Sequence, residues 1–138
     1  MDTDSVTVSR LTAGLAGSLL ALNGVLMLFW PGSWYHTVPG VADTGPPNVQ
    51  FIIDIALAYL MAGTGLVVGA VQLSRRVALL ATVWPVTHAI FHAVLWVIGG
   101  VSNGAALPTE AFTVFGLAAA GGLAALNLPH TILTPATH

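Results

Sequence analysis

The chain reads as an all-α integral membrane protein, a four-span up-and-down transmembrane helix bundle forming one domain over residues 1–138. Two observations predict this. Hydrophobic residues make up 56% of the 138 residues and charged residues only 6%, whereas a soluble domain carries about 25% charged residues. With so few charges the chain has no means of covering a water-facing surface, and its mean hydropathy of +0.88 agrees. The second observation is segmentation. Four apolar runs, each about 20 residues long, match the length of a spanning helix, and stretches rich in Pro, Gly or Arg separate them.

Composition also excludes. Three Lys and Arg residues in total are too few for the basic patch that nucleic acid requires. The chain has no cysteine, which removes disulfides and thiolate metal sites.

The first ten residues, MDTDSVTVSR, are a polar leader. Asp2 and Asp4 precede Arg10, so the leader lacks the basic start of a secretory signal. Span one, Leu11 to Trp30, is too long for the apolar part of a signal and right for a membrane crossing. Gly14, Gly17, Ser18 and Gly24 allow a neighbouring helix to come close. Asn23 is the one strongly polar residue of this span.

Residues 31–50 form the longest connection. Its four prolines and three glycines predict irregular structure through most of it. Trp30, Trp34 and Tyr35 suit a membrane–water boundary, and an uncharged loop of this length often serves as a lid. Asn48 then caps span two, Phe51 to Val71. Asp54 lies one turn inside that span. Gly65 and Gly69 form a G-x-x-x-G pair, a mark of close helix packing or of a homodimer seam.

Arg75 and Arg76 precede span three, Val77 to Ile98. Pro85 within it deprives the carbonyl of Ala81 of its usual partner and predicts a bend just before His88. After a turn over residues 99–108, Pro108-Thr109-Glu110 opens span four, Thr109 to Leu128. The stretch GLAAAGGLAAL in this span predicts tight packing. The tail from Pro129 is polar, and its His130 and His138 carry no expected role.

Arg10, Arg75 and Arg76 fall on one side of an up-and-down bundle. The positive-inside rule puts that side, and both termini, in the cytoplasm. The expected location is a plasma membrane or a bacterial-type inner membrane, with the lipid bilayer as the first partner. Depth along each span then follows from a rise of about 1.5 Å per residue. Asp54 lies roughly 5 Å below the outer end of its span, His92 roughly 9 Å, Asn23 roughly 10 Å, Tyr59 roughly 12 Å and His88 roughly 15 Å. Glu110 enters near the outer surface, whereas the inner half holds only Gln72 and Asn127 near helix ends. Lipid does not solvate such groups, so they are expected to turn inward and share one pocket on the extracytoplasmic side.

The chemistry centres on TVWPVTHAIFHAVLW, Thr82 to Trp96. His88 and His92, four apart, leave the same helix face and are spaced to ligate one ion. With the Asp54 carboxylate they make a candidate zinc, copper or iron site. Glu110, Asn23 and His36 are further candidate ligands, and a metal-dependent oxidoreductase or hydrolase is the corresponding function. The metalloprotease pattern is not met, because Ala89, Ile90 and Phe91 fill the gap between the histidines.

Haem fits less well, since only span three offers histidines and a second axial ligand would come from a dimer. A metal-free alternative pairs Asp54 with a histidine as acid and base on an apolar, lipid-like small molecule. Tyr59 and Glu110 are further catalytic candidates there, and proton relay or pH-sensitive binding belongs to the same class. A third reading is a structural, partner-binding membrane protein.

Plainer roles stand beside each of these. The histidines would bond to helix neighbours, and Asp54 and Glu110 would sit where a helix N-terminus favours a carboxylate. Asn23 would join helices, Tyr59 would pack, and His36 would be a solvated loop residue. No motif assigns a family, and a four-helix bundle alone decides no function.

Overall fold

A computed structural model of the chain describes residues 2–99 and 107–129. Most of the expected turn over 99–108, and the tail from His130 onward, lie outside the described residues. Among the described residues the regular structure is all helical, with no strand. Helix α1 spans Thr3–Phe29, α2 Pro31–Thr37, α3 Val49–Val71, α4 Arg75–Val97 and α5 Leu107–Leu126. All but α2 are long and apolar enough to cross a membrane.

Helix α1 begins at Thr3, well before the expected Leu11, because the polar leader caps itself. The Asp2 carboxylate accepts from the Ser5 amide at 2.7 Å, and the Ser5 hydroxyl donates back to the Asp2 carbonyl at 3.0 Å. Asp4 in the first turn suits the positive end of the helix.

The connection over residues 31–50 is also more ordered than its prolines suggest. Pro31 occupies the first position of α2, where a missing N–H costs nothing. The helix stops before Pro39, which disfavours helical backbone in Val38. Tyr35, expected at a half-wet boundary, is buried. Its hydroxyl donates to the carbonyls of Ala42 and Gly45, which ties a short 3-10 turn at Ala42–Thr44 back onto α2.

The long helices run alternately up and down. Each packs on its two neighbours, α1 on α3 and α5, and α4 on α3 and α5. The α1–α3 contact is the most extensive, and glycine makes it so. A Cβ on Gly17 would stand 2.7 Å from the Gly63 carbonyl oxygen, and one on Gly24 would stand 2.8 Å from that of Ala56. A Cβ on Gly63 would stand 2.5 Å from the Gly17 carbonyl and closer still to the Ala21 amide. The backbones therefore touch.

Toward α4, a Cβ on Gly69 would stand 2.7 Å from the Ala78 amide nitrogen, and one on Gly65 would stand 2.7 Å from the Ala81 methyl. The G-x-x-x-G pair thus serves packing within the chain, and the homodimer expectation loses its argument. Gly121 of α5 closes the ring beside Leu66 and Ala16. The main core holds Leu20, Met27, Leu66 and Leu128, all fully buried. A smaller cluster of Ala89, Val114 and Ala118 joins α4 to α5.

Helix α4 continues through Pro85. The Thr87 hydroxyl donates to the carbonyls of Val83 and Trp84 at 2.8 and 2.9 Å, next to the proline. Helix α5 is α-helical over Leu107–Glu110, π-helical over Ala111–Gly116 and α-helical again over Leu117–Leu126. Within the π stretch the Thr113 hydroxyl donates to the Thr109 carbonyl at 2.7 Å. That is the acceptor its own amide would take in an α-helix.

Gly63→Ala should destabilise the protein by about 1–3 kcal/mol, since the backbones must part to admit the methyl group. Gly122→Ala should be close to neutral, because its Cβ would meet only a Val86 methyl at 3.8 Å. Thermal unfolding in detergent checks both. The Ser5 amide also holds the Asp2 carboxyl below the usual carboxylate range. The cap is therefore fully present above the ordinary carboxylate pKa and is lost as pH falls through the lowered value. The protection factor of the Ser5 amide against hydrogen exchange should fall in acid, and Asp2→Ala should keep it low at every pH.

Candidate functional site

Trp84, His88, His92 and Trp96 stand four residues apart on α4. Each such step overshoots a 3.6-residue turn by ~40°, so the column winds around the helix. Its Trp84 end meets Tyr59 of α3 edge-on, with ring centroids 4.8 Å apart. Its Trp96 end meets Phe115 of α5 at 4.7 Å.

The rings also touch along the column. Trp84 and His88 are stacked, 4.8 Å apart with planes 11° from parallel. His88 and His92 meet edge to face at 4.6 Å. Tyr59 approaches His88 edge-on at 6.5 Å. One imidazole therefore lies on an indole face, which attracts a cation, and it borders the second imidazole.

The second imidazole has an acid beside it. His92 Nδ1 lies 3.3 Å from Glu110 Oε1, and both side chains are mostly buried, with 22% and 17% of their surface exposed. Trp96 Nε1 donates to Glu110 Oε2 at 2.7 Å. Both carboxylate oxygens are thus engaged by α4, while Glu110 itself belongs to the first turn of α5 and adjoins the π-helical stretch. Such stretches recur at functional sites. The contact is an ion pair when His92 carries a proton and a neutral contact when it does not.

The other expected site residues lie elsewhere. Asp54 is on the exposed side of α3, away from the face bearing buried Ile52, Ala56 and Tyr59. It stands two residues from both Ile52 and Ala56, and two residues turn a helix by about 200°, onto the opposite face. Among the described residues no group of three or more His, Asp or Glu side chains is placed to hold a metal ion. The expected triad of His88, His92 and Asp54 is therefore not assembled, and Glu110 meets the pair where Asp54 was expected.

Asn23 accepts from Trp34 Nε1 at 2.9 Å, and its amide nitrogen lies 3.5 Å from the Met27 sulfur. It joins α1 to α2 as a structural link. His36 lies edge-on to Tyr35 within α2. The single expected pocket is thus resolved into an Asn23–Trp34 link, a His–Glu cluster between α4 and α5, and an isolated acid on α3.

Sequence reasoning misses the polar role of Trp96, whose Nε1 donates to Glu110. Its signal was available: it continues the four-residue step from Trp84 through both histidines. Nothing local announces that Glu110 rather than Asp54 would meet them, because that depends on how α5 is rotated. The chain matches no protein-family model, no curated protein and no solved structure.

Trp96→Phe should keep the packing on Phe115 and remove the donor to Glu110. A mostly buried carboxylate left short of a hydrogen bond costs about 1–3 kcal/mol. Thermal unfolding in detergent should show that loss, and the same substitution in a Glu110→Gln background should show a smaller one.

Proposed function

We propose that the protein is a proton-responsive membrane helix bundle. In this reading the His88–His92–Glu110 cluster takes up and releases a proton and thereby sets how firmly α5 is held to α4. The observation that carries it is the His92–Glu110 contact at 3.3 Å, with Trp96 engaging the second carboxylate oxygen at 2.7 Å. Imidazole is the side chain whose ordinary titration falls nearest neutrality. Ionisable groups kept within spanning helices commonly mark proton pathways or switches.

The sign follows from charge. With Glu110 ionised, a proton on His92 creates attraction between α4 and α5, and its loss leaves a neutral contact. His88, one turn along, competes for positive charge because two protonated imidazoles side by side repel. The cluster therefore favours holding one proton over two.

By the distribution of Arg10, Arg75 and Arg76, the cluster belongs to the extracytoplasmic half of a plasma or bacterial-type inner membrane, with both termini inside. The proton it senses is then the external one. Among the described residues no three His, Asp or Glu side chains are placed to hold a metal ion, with Glu110 counted as well as Asp54, so the metal-centre reading is not carried forward. The metal-free acid–base reading is carried forward, with Glu110 in the place of Asp54.

The test is ring-nitrogen NMR of histidine-labelled protein in lipid nanodiscs between about pH 5 and 8. The ring signals of the cluster should respond to pH in the wild type. Glu110→Gln should change that response, because it removes the carboxylate oxygen that lies 3.3 Å from His92 Nδ1. Ring signals that ignore pH, or that are the same with and without Glu110→Gln, would sink the reading.

A further inference from the structure

A second feature lies at the other end of the bundle and is independent of the His–Glu cluster. A groove of about 360 Å³ runs along the lipid-facing seam of α1 and α3. Its walls are Leu11 and Leu15 on one side and Val67 and Val71 on the other, and Gly14 and Ser18 keep it open. Arg10 stands at its mouth. Its volume is at the small end of the range for ligand clefts, and its lining is mostly apolar, with Ser18 the one polar side chain besides Arg10.

The position of Arg10 gives the groove its chemistry. The first turns of α1, Thr3 to Ser9, are mostly polar, and the apolar run begins at Leu11. From Leu11 to Phe29 the helix rises about 28 Å, close to the thickness of a bilayer's hydrocarbon core. Arg10 therefore stands at headgroup level, directly above the groove. It is exposed, and among the described residues its guanidinium has no hydrogen bond or ion pair. A planar fork of donors over an apolar slot matches a phosphate joined to an acyl chain.

We infer that this groove binds one anionic phospholipid, its phosphate on Arg10 and one acyl chain between α1 and α3. Basic pockets between spanning helices on the cytoplasmic side bind anionic headgroups, and the positive-inside rule places Arg10 in that leaflet. Gly14 matters because its open face gives the chain room. A Cβ there would meet nothing nearer than the Ala70 methyl at 3.9 Å, so a larger side chain fills the groove without moving the backbone.

Native mass spectrometry of protein released from nanodiscs holding equal phosphatidylglycerol and phosphatidylcholine of matched chains tests this. The wild type should retain one phosphatidylglycerol several-fold over phosphatidylcholine. Arg10→Gln should bring retention down to the phosphatidylcholine level. Gly14→Leu should do so too with the charge intact, its helix content checked by circular dichroism. Arg76→Gln, an exposed cation outside the groove lining, should leave retention unchanged. Equal retention of the two lipids, equal sensitivity to Arg76→Gln, or indifference to Gly14→Leu would overturn the inference. So would a lipid-free dimer that Gly14→Leu dissociates, which would give the groove to a second copy of the chain.

Discussion

Backbone contact between α1 and α3 sets everything else in this bundle. At Gly17, Gly24 and Gly63 the two helices approach until main chain meets main chain. In a lipid environment apolar side chains gain little by leaving lipid for protein, so close van der Waals fit is what holds helices together. The tight α1–α3 seam and the Gly65–Gly69 seam to α4 fix three helices as a frame. Helix α5, rich in Ala and Gly, then fits against α1 and α4.

In the proposed bilayer setting lipid satisfies no polar group, and two side-chain pairings on that frame meet the demand, whereas Asp54 stays exposed. Asn23 meets the indole of Trp34, and Glu110 meets His92 and Trp96. Each pairing joins two successive helices, so each both satisfies polar groups and acts as a tether. The Glu110 tether contains titratable groups on both sides, whereas the Asn23 tether contains none. That difference is why the cluster between α4 and α5, and not the link between α1 and α2, supports a chemical role.

Much of this was legible in the sequence. Composition and run length sufficed for four long helices, since those depend on summed hydrophobicity. The shared face of His88 and His92 followed from spacing within one helix. The leader was misread because its cap, Asp2 to Ser5, is a local bond with little composition signal. Residues 31–50 were misread because Pro31 starts a helix as readily as it breaks one. Asp54 was assigned to the cluster on depth alone, and depth says nothing about azimuth. Which side of α3 faces inward is decided by Gly63, Gly65 and Gly69, whose contacts are tertiary. Glu110 was named as a candidate, yet its meeting with His92 depends on the rotation of α5.

That rotation has a source in the π-helical stretch, Ala111–Gly116. A π segment accommodates roughly one more residue than the α-helix it interrupts, so everything beyond it is turned by about 100° relative to what precedes it. Glu110 stands before the stretch, and Gly121, Ala124 and Ala125 stand after it. The extra residue allows two demands to be met by one helix, an acid aimed at an imidazole and a smooth small-residue flank seated in the bundle. A chain one residue shorter at this point would have to choose between them.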